Sequence, residues 1–467
     1  MISAQRPEFF DAVVIGTGQG GKPLAADLAR AGWRTAIIER GRVGGTCVVC
    51  GCTPTKTMVA SARVAHLARR AADYGVDVGS VSVDMEVVRA RQRDIVDSWS
   101  EGSRKGLERH ANLELIMGEA RFSGVREFDV ALLTGGSRSL TADHVFINAG
   151  ARPAIPSIPG LGAVPYLDST SILELGEVPG HLVVLGGGFI GLEFGQMFRR
   201  FGADVTLIEK STRLVSREDE DVSDAIREIF QQDGIDVLTE SEATAVEAVE
   251  DGRIRVTVSG PGGETRVSGT HLLVALGRDS NADTLNLEAT GLSTDSRGWI
   301  SVNERCETEV EGIWALGDIT GAPPFTHTAY DDYRVIRTNL LEDGQRTTAD
   351  RLLPYAVFID PQLGRVGLTE REARERGRDI RVAELPMTRV ARALELDETR
   401  GFMKAVVDAS TNRILGAAVL GIEGGELVAV LQLAMMGDLP YTALRDAVLA
   451  HPTLAESINN LFMELDA

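Results

Sequence analysis

Short apolar runs closed by glycine set the rhythm of this chain. Ala12-Val13-Val14-Ile15 is an apolar stretch of the kind a buried strand gives. It leads into Gly16-Thr17-Gly18-Gln19-Gly20-Gly21, and apolar residues then recur at helical spacing from Lys22 to about Ala31. Gly32 ends that helix, residues 34–38 predict the next strand, and Glu39 closes it. The same order returns after a shift of 170 residues. Leu182-Val183-Val184-Leu185 is the strand and Gly186-Gly187-Gly188-Phe189-Ile190-Gly191 the turn. Gly202 stands for Gly32, and Glu209 for Glu39.

Elsewhere the pattern is plainer. Residues 63–74 and 87–110 predict helices whose charged faces are solvated surface. An apolar run enters Asn148-Ala149-Gly150-Ala151-Arg152-Pro153, and Pro156 and Pro159-Gly160 mark a linker. Leu273-Val274-Ala275-Leu276-Gly277-Arg278 is a similar exit from the second repeat. From about Leu352 the character changes: residues 401–407 and 414–420 predict strands and 425–436 an apolar helix. The expected divisions are 1–152, 153–277, 278–348 and 349–467. The fold class is α/β: two Rossmann-like dinucleotide-binding domains plus a C-terminal α+β domain.

Charge narrows the partners. With 48 basic and 68 acidic residues the net charge is −20, so nucleic acid is not an expected partner. Residues 1–10 are polar and lead into a strand, without the form of a leader, and residues 427–436 are too few to span a bilayer. No membrane association and a cytoplasmic location are expected. Four cysteines do not make a secreted disulfide framework.

Three of those four cysteines fall within Gly44-Gly45-Thr46-Cys47-Val48-Val49-Cys50-Gly51-Cys52-Thr53-Pro54-Thr55-Lys56. A thiol pair beside a nucleotide site points to electrons passing between a cofactor and sulfur. For the Cys47 and Cys52 sulfurs to meet, the segment must coil, and Gly51 is expected to supply an unusual backbone angle. Cys47-x-x-Cys50 is a rival spacing of thioredoxin type, and the three thiols together are a possible soft-metal ligand set. In both glycine-rich turns, backbone N–H groups at a helix start suit a pyrophosphate, and the closing acid suits a ribose.

Gly-Gly-Thr-Cys-x4-Cys-x-Pro-x-Lys resembles the redox signature of the FAD-dependent pyridine nucleotide–disulfide oxidoreductases, which include dihydrolipoyl dehydrogenase, glutathione reductase and mercuric reductase. The resemblance implies FAD in the first repeat and NADH or NADPH in the second. It implies a Cys47–Cys52 redox disulfide, with Cys52 on the flavin side and Cys47 as the interchange sulfur. Residues 308–318 resemble the family's second FAD motif, with Asp318 bonding the ribityl chain. The FAD set is then Gly16, Gly18, Gly21, Glu39, Gly45, Thr46, Lys56, Ala120, Ala149, Gly150, Asp318 and Thr326. His327 is expected beside the flavin through its backbone. The NAD(P) set is Gly186, Gly188, Phe189, Ile190, Gly191, Glu209 and Gly277, with Phe189 as a gate over the nicotinamide. Lys56 and Glu193 match the family's ion pair beside the two rings. His451-Pro452-Thr453-Leu454-Ala455-Glu456 matches its acid–base pair, reached across a homodimer, and residues from about 352 resemble its dimerisation domain.

The chain departs from the family's habits in places. Val49 stands where an asparagine is common, Leu449 where lipoamide enzymes carry a second histidine, and Ser280 before Asn281 where a proline follows the arginine. No cysteine follows Cys306, although mercuric reductases end in a cysteine pair. The leading expectation is a reductase of a small-molecule or protein disulfide. The alternatives are a mercuric-reductase-like enzyme acting on thiol-bound Hg(II) or Cu(II), and a non-catalytic flavin redox sensor. A complete hydride-donor site argues against the sensor. Glu209 leans the donor toward NADH, with Lys210 and Arg213 nearby as possible phosphate ligands.

Overall fold

The structure is a computed structural model that describes residues 6–466. The first half of the polar stretch 1–10, read above as no leader, lies outside the described residues. The backbone forms two compact units.

One unit comprises Met1–Thr57, Arg89–Ala154 and Gly277–Arg351. Strand Glu8–Ile15 pairs in parallel with Thr35–Glu39 on one side and Ser137–Ile147 on the other. Leu113–Gly124 and Glu127–Leu132 continue the pairings back to Ser137–Ile147, so the strands are linked in a ring. Ile313–Ala315 adds a parallel strand beside Ser137–Ile147. The continuous apolar run at residues 12–15 reflects burial on both faces. Val13 and Ile15 point into one core with Ile38 and Ile147, whereas Ala12 and Val14 join Leu24, Leu28 and Phe146 in another. Helix Gly21–Arg30 covers that second face with Leu24, Ala25, Leu28 and Ala29.

The other unit comprises Met58–Val88, Ile155–Leu276 and Leu352–Ala467. Its parallel sheet has the order His271–Val274, His181–Leu185, Asp204–Ile208, Asp236–Leu238. Helix Phe189–Phe201 buries Leu192, Phe194, Met197, Phe198 and Phe201. Strands Glu242–Ala248, Ile254–Gly260 and Gly263–Gly269 form an antiparallel meander. A second, five-stranded antiparallel sheet runs Tyr355–Val357, Gln362–Gly367, Ile414–Gly421, Phe402–Asp408, Ile380–Pro386. Helix Gly424–Met436 packs Leu427, Val428, Leu431 and Ala434 onto this core and leaves Leu433 and Met436 exposed.

Two local expectations change. The helix expected over 63–74 starts earlier, at Cys52, and runs to Arg69 before a 3-10 turn at Ala71–Tyr74. Pro54 sits in its first turn, where no intrahelical hydrogen bond is lost. Gly51 is not among the residues with positive φ. Glycine is required there for close approach, since a Cβ would lie 2.9 Å from the Thr46 carbonyl oxygen. Among the described residues no helix is long and apolar enough to cross a membrane.

Candidate active site

The two glycine-rich turns are built alike, down to single hydrogen bonds. Thr17 N–H donates to Glu39 Oε2 at 3.0 Å and Gly41 N–H to Glu39 Oε1 at 2.8 Å. Gly187 N–H donates to Glu209 Oε2 at 2.6 Å and Ser211 N–H to Glu209 Oε1 at 2.7 Å. Both pairs of donors keep the 170-residue offset of the sequence repeat. Gly16 at φ +103° and Gly186 at φ +110° adopt an angle that side chains rarely take. Neither helix that follows has a side-chain cap at its start, and a pyrophosphate suits that role. With its oxygen turned to the loop, buried Asn148 accepts Gly18 and Gly21 N–H at 3.2 and 3.1 Å. Glycines, helix starts and closing acids therefore fit a dinucleotide in each turn.

The remaining FAD-set residues gather in the first unit. Asp318 lies in the 3-10 turn after Ile313–Ala315, with Arg278 Nη2 at 3.4 Å from Oδ2. Burial raises the Asp318 pKa and Arg278 opposes it. Asp332 accepts the Gly317 N–H at 2.9 Å and so holds that turn. Asn281 donates to the Ala149 carbonyl at 2.8 Å, and Gly150 accepts the Asn281 N–H at 3.2 Å. Ala120 points its methyl into the core, so only its backbone can face a ligand. His327 stacks on Phe325 with ring centroids 5.3 Å apart.

The cysteine segment lies directly against the first turn. A Cβ on Gly45 would stand 2.6 Å from the Gly18 Cα. Gly45–Val49 forms a short helix that carries Thr46 and Cys47, and Cys52 is the first residue of the 18-residue helix Cys52–Arg69, which also carries Lys56. The expected coil brings Cys47 and Cys52 into hydrogen-bonding contact. Cys52 Sγ lies 3.4 Å from Thr326 Oγ1, and Thr326 opens the helix Thr326–Leu341. Contact with Cys52, then burial, push the Cys47 pKa well up; Thr326 and Lys22 pull the other way. Cys50 closes the short helix, its N–H donating to the Thr46 carbonyl at 3.0 Å. Among the described residues no three His, Cys, Asp or Glu side chains converge as metal ligands. The three thiols are therefore not gathered into one ligand set.

The second unit holds the expected NAD(P) set apart from Gly277. Phe189 and Ile190 begin the helix after Gly188, and the Phe189 ring packs against Tyr355 at 5.2 Å. Glu193 is buried, and its Oε1 accepts the Phe358 N–H at 2.9 Å. Gly191 faces the Gly186 carbonyl, where a Cβ would stand at 1.9 Å. Gly277, counted with this set, falls in the first unit at φ +124°. Near the chain's end, His451 Nδ1 lies 2.8 Å from Glu456 Oε2, and the imidazole is exposed.

Sequence reasoning passed over Lys22 and the positioning roles of Asn148 and Asn281. An asparagine directly after the apolar run Val145-Phe146-Ile147 was the visible signal for Asn148. Lys22 offered none, because its partner Ser103 lies 81 residues away.

A family model described as pyridine nucleotide-disulphide oxidoreductase matches residues 10–332, and its dimerisation domain matches 353–462. The chain belongs to this family. It is therefore an enzyme of FAD-dependent, NAD(P)H-linked disulfide redox chemistry. It is 39% identical to the probable pyridine nucleotide-disulfide oxidoreductase RclA of Escherichia coli, over 97% of this chain and 98% of that protein. It is 34% identical to a mercuric reductase of Staphylococcus aureus, over 98% of this chain and 82% of that one. A solved Cu(II) complex of the HOCl-induced flavoprotein disulfide reductase RclA superposes with TM-score 0.90 at 37% identity, covering 98% and 99% of the two chains.

Proposed function

We propose that this enzyme carries electrons from NADH to a disulfide substrate through the Cys47–Cys52 pair. The observation that carries the reading is the meeting of Cys47 and Cys52 beside Thr326, at the starts of two long helices. The thiolate is the reacting form, and Thr326 and Lys22 favour it at Cys47 against the rise that Cys52 and burial impose.

Glu39, Asn148, Asp318 and the first glycine turn would hold FAD; the second turn with Glu209 would hold the nicotinamide nucleotide. Bound FAD supplies the two-electron link between nucleotide and sulfur. The protein's own task is to keep Cys52 next to Thr326 and to leave Cys47 open to substrate. Thr326 steadies the sulfur by hydrogen bonding. Glu456 fixes the His451 tautomer, leaving Nε2 to take and return the proton of the substrate thiol. His451 would act on the partner subunit's cysteines, as in the resembled family, which makes the working form a homodimer. The match to the family's dimerisation domain supports that assembly.

A second reading is reduction of a thiol-bound metal ion at the same sulfurs. Its support is the relative solved as a Cu(II) complex and the mercuric reductases among the relatives. Steady NADH and NADPH oxidation with a panel of disulfides and metal–thiolate complexes tests both. Turnover with disulfides supports the first; turnover with Cu(II) or Hg(II) complexes alone replaces it with the second.

A further inference from the structure

The segment that opens with strand Tyr355–Val357 meets the start of the second nucleotide helix twice. The Tyr355 ring packs on Phe189 with centroids 5.2 Å apart, and the Phe358 N–H, just past the strand, donates to Glu193 Oε1 at 2.9 Å. Phe189 and Glu193 are one helical turn apart and share a face of helix Phe189–Phe201. Gly188 before them is exposed and Phe189 only partly buried, so this ring stands at the solvent side of the glycine turn.

Tyr355 is itself fixed from behind. Its hydroxyl donates to Glu218 Oε1. Its cross-strand partner Arg365 brings Nε to 3.8 Å from Glu218 Oε2. Glu218 and Arg365 are both buried. Burial raises the pKa of Glu218 and of Tyr355, and Arg365 opposes both shifts. Among the described residues Glu218 Oε2 and Arg365 Nη2 make no hydrogen bond. A buried ion pair with a donor and an acceptor left over is no gain over apolar packing, so stability does not account for it. Glu218 is also linked to the glycine turn. Its N–H donates to the Val215 carbonyl at 2.8 Å, and the Val215 N–H donates to the Gly187 carbonyl at 3.0 Å. Val215 holds φ +41°, a rare angle for a β-branched residue and one kept only where the surroundings enforce it. One buried carboxylate thus ties the backbone of the glycine turn to the ring behind Phe189.

We propose that Tyr355 is a positioning residue for hydride transfer: anchored on Glu218 and Arg365, its ring backs Phe189 and keeps that ring in one place against the nicotinamide. The inference rests on the reading of the second turn as the NAD(P)H site. NADH gives one hydride, with its electron pair, to FAD and leaves as NAD+; Tyr355 takes no part in that exchange. It sets how the nicotinamide is presented, and a misplacement of about 1 Å is enough to slow such a step on the order of a hundredfold.

The test uses the FAD-loaded enzyme, its Tyr355→Phe, Tyr355→Ala and Phe189→Ala variants and the double variant of the last two, each first checked for flavin content and melting temperature. Stopped flow with increasing NADH, or NADPH where that is the faster donor, separates the limiting rate of flavin reduction from the apparent Kd. The limiting rate should fall about tenfold in Tyr355→Ala and about threefold in Tyr355→Phe, which keeps the ring without its anchor, and the apparent Kd should move less. Tyr355→Ala should add nothing once Phe189 is alanine. Reduction by dithionite, which needs no nucleotide site, should be unchanged throughout. A readout without turnover comes from para-fluorophenylalanine placed at position 189: its fluorine NMR line should move when NAD+ is added, and should broaden or split in Tyr355→Ala. If neither NADH nor NADPH reduces the wild-type flavin, the reading of the second turn fails and the proposal with it. If the wild-type flavin is reduced but its limiting rate is the same in Tyr355→Phe and Tyr355→Ala, the proposal alone falls. It falls equally if Tyr355→Ala slows the step as much without Phe189 as with it, or if the fluorine line ignores NAD+ or the loss of Tyr355.

Discussion

The Glu209 carboxylate accepts the Gly187 N–H at 2.6 Å, which pins the acid over the turn that would carry the nicotinamide nucleotide. Held there, it can still accept ribose hydroxyls, and its charge repels a 2′-phosphate. Arg213, a possible phosphate ligand, faces Glu220 at 3.7 Å. NADH is therefore the expected donor. Glu209→Gln should lower kcat/KM for NADH about tenfold and narrow the gap to NADPH. A wild-type kcat/KM higher for NADPH than for NADH would contradict this role of Glu209.

Under the proposed function Lys56 would act beside the flavin, and Glu193, buried with the Phe358 N–H on its Oε1, would act beside the nicotinamide. Lys56→Met should slow flavin reduction by NADH in stopped flow and shift the flavin absorption bands. An unaltered half-reaction and spectrum would show that Lys56 does not act at the flavin.

The His451–Glu456 contact of 2.8 Å predicts a graded response. Glu456→Gln should lower kcat with disulfide substrate about tenfold, and His451→Ala by about a hundredfold or more, leaving flavin reduction by NADH in place. Since His451 is assigned to the other subunit's cysteines, sedimentation should find a dimer at assay concentration. A fully active monomer removes that assignment.

Acid should weaken the fold through His66. Burial lowers its pKa from 6.5 to about 4, and the nearby Arg200 adds to the effect. Among the described residues its buried Nε2 has no hydrogen-bond partner. Below its ordinary pKa the unfolded chain takes a proton that the folded chain refuses. Stability is thus full above pH 6.5, declines as pH falls toward about 4, and then levels for this group. His66→Gln should flatten that decline in urea unfolding followed against pH; an identical slope in the variant would exclude His66 as a source.

Both nucleotide turns were legible in the sequence because their chemistry is local. Strand, glycines, helix and closing acid fall within one short stretch, and the repeat at 170 residues checks each against the other. The cysteine segment was legible for the same reason. What escaped depended on distance or on packing. The Arg278–Asp318 contact joins segments that only the folded sheet brings together. The Lys22–Ser103 bond spans 81 positions, and nothing in either neighbourhood announces it. Gly51 was misread because sequence distinguishes poorly between a glycine needed for its backbone angle and one needed for its missing side chain.

The central claim is that Cys47 and Cys52, which meet in the structure, are the redox pair and that Cys50 stays outside it. Anaerobic dithionite titration of the FAD-loaded wild type and of Cys47→Ser, Cys50→Ser and Cys52→Ser measures this directly. The wild type and Cys50→Ser should take up one electron pair for the flavin and a second for the disulfide. Cys47→Ser and Cys52→Ser should take up the flavin's pair alone. If Cys52→Ser keeps both pairs while Cys50→Ser keeps only one, the redox bond is Cys47–Cys50 and the assignment of Cys52 is wrong.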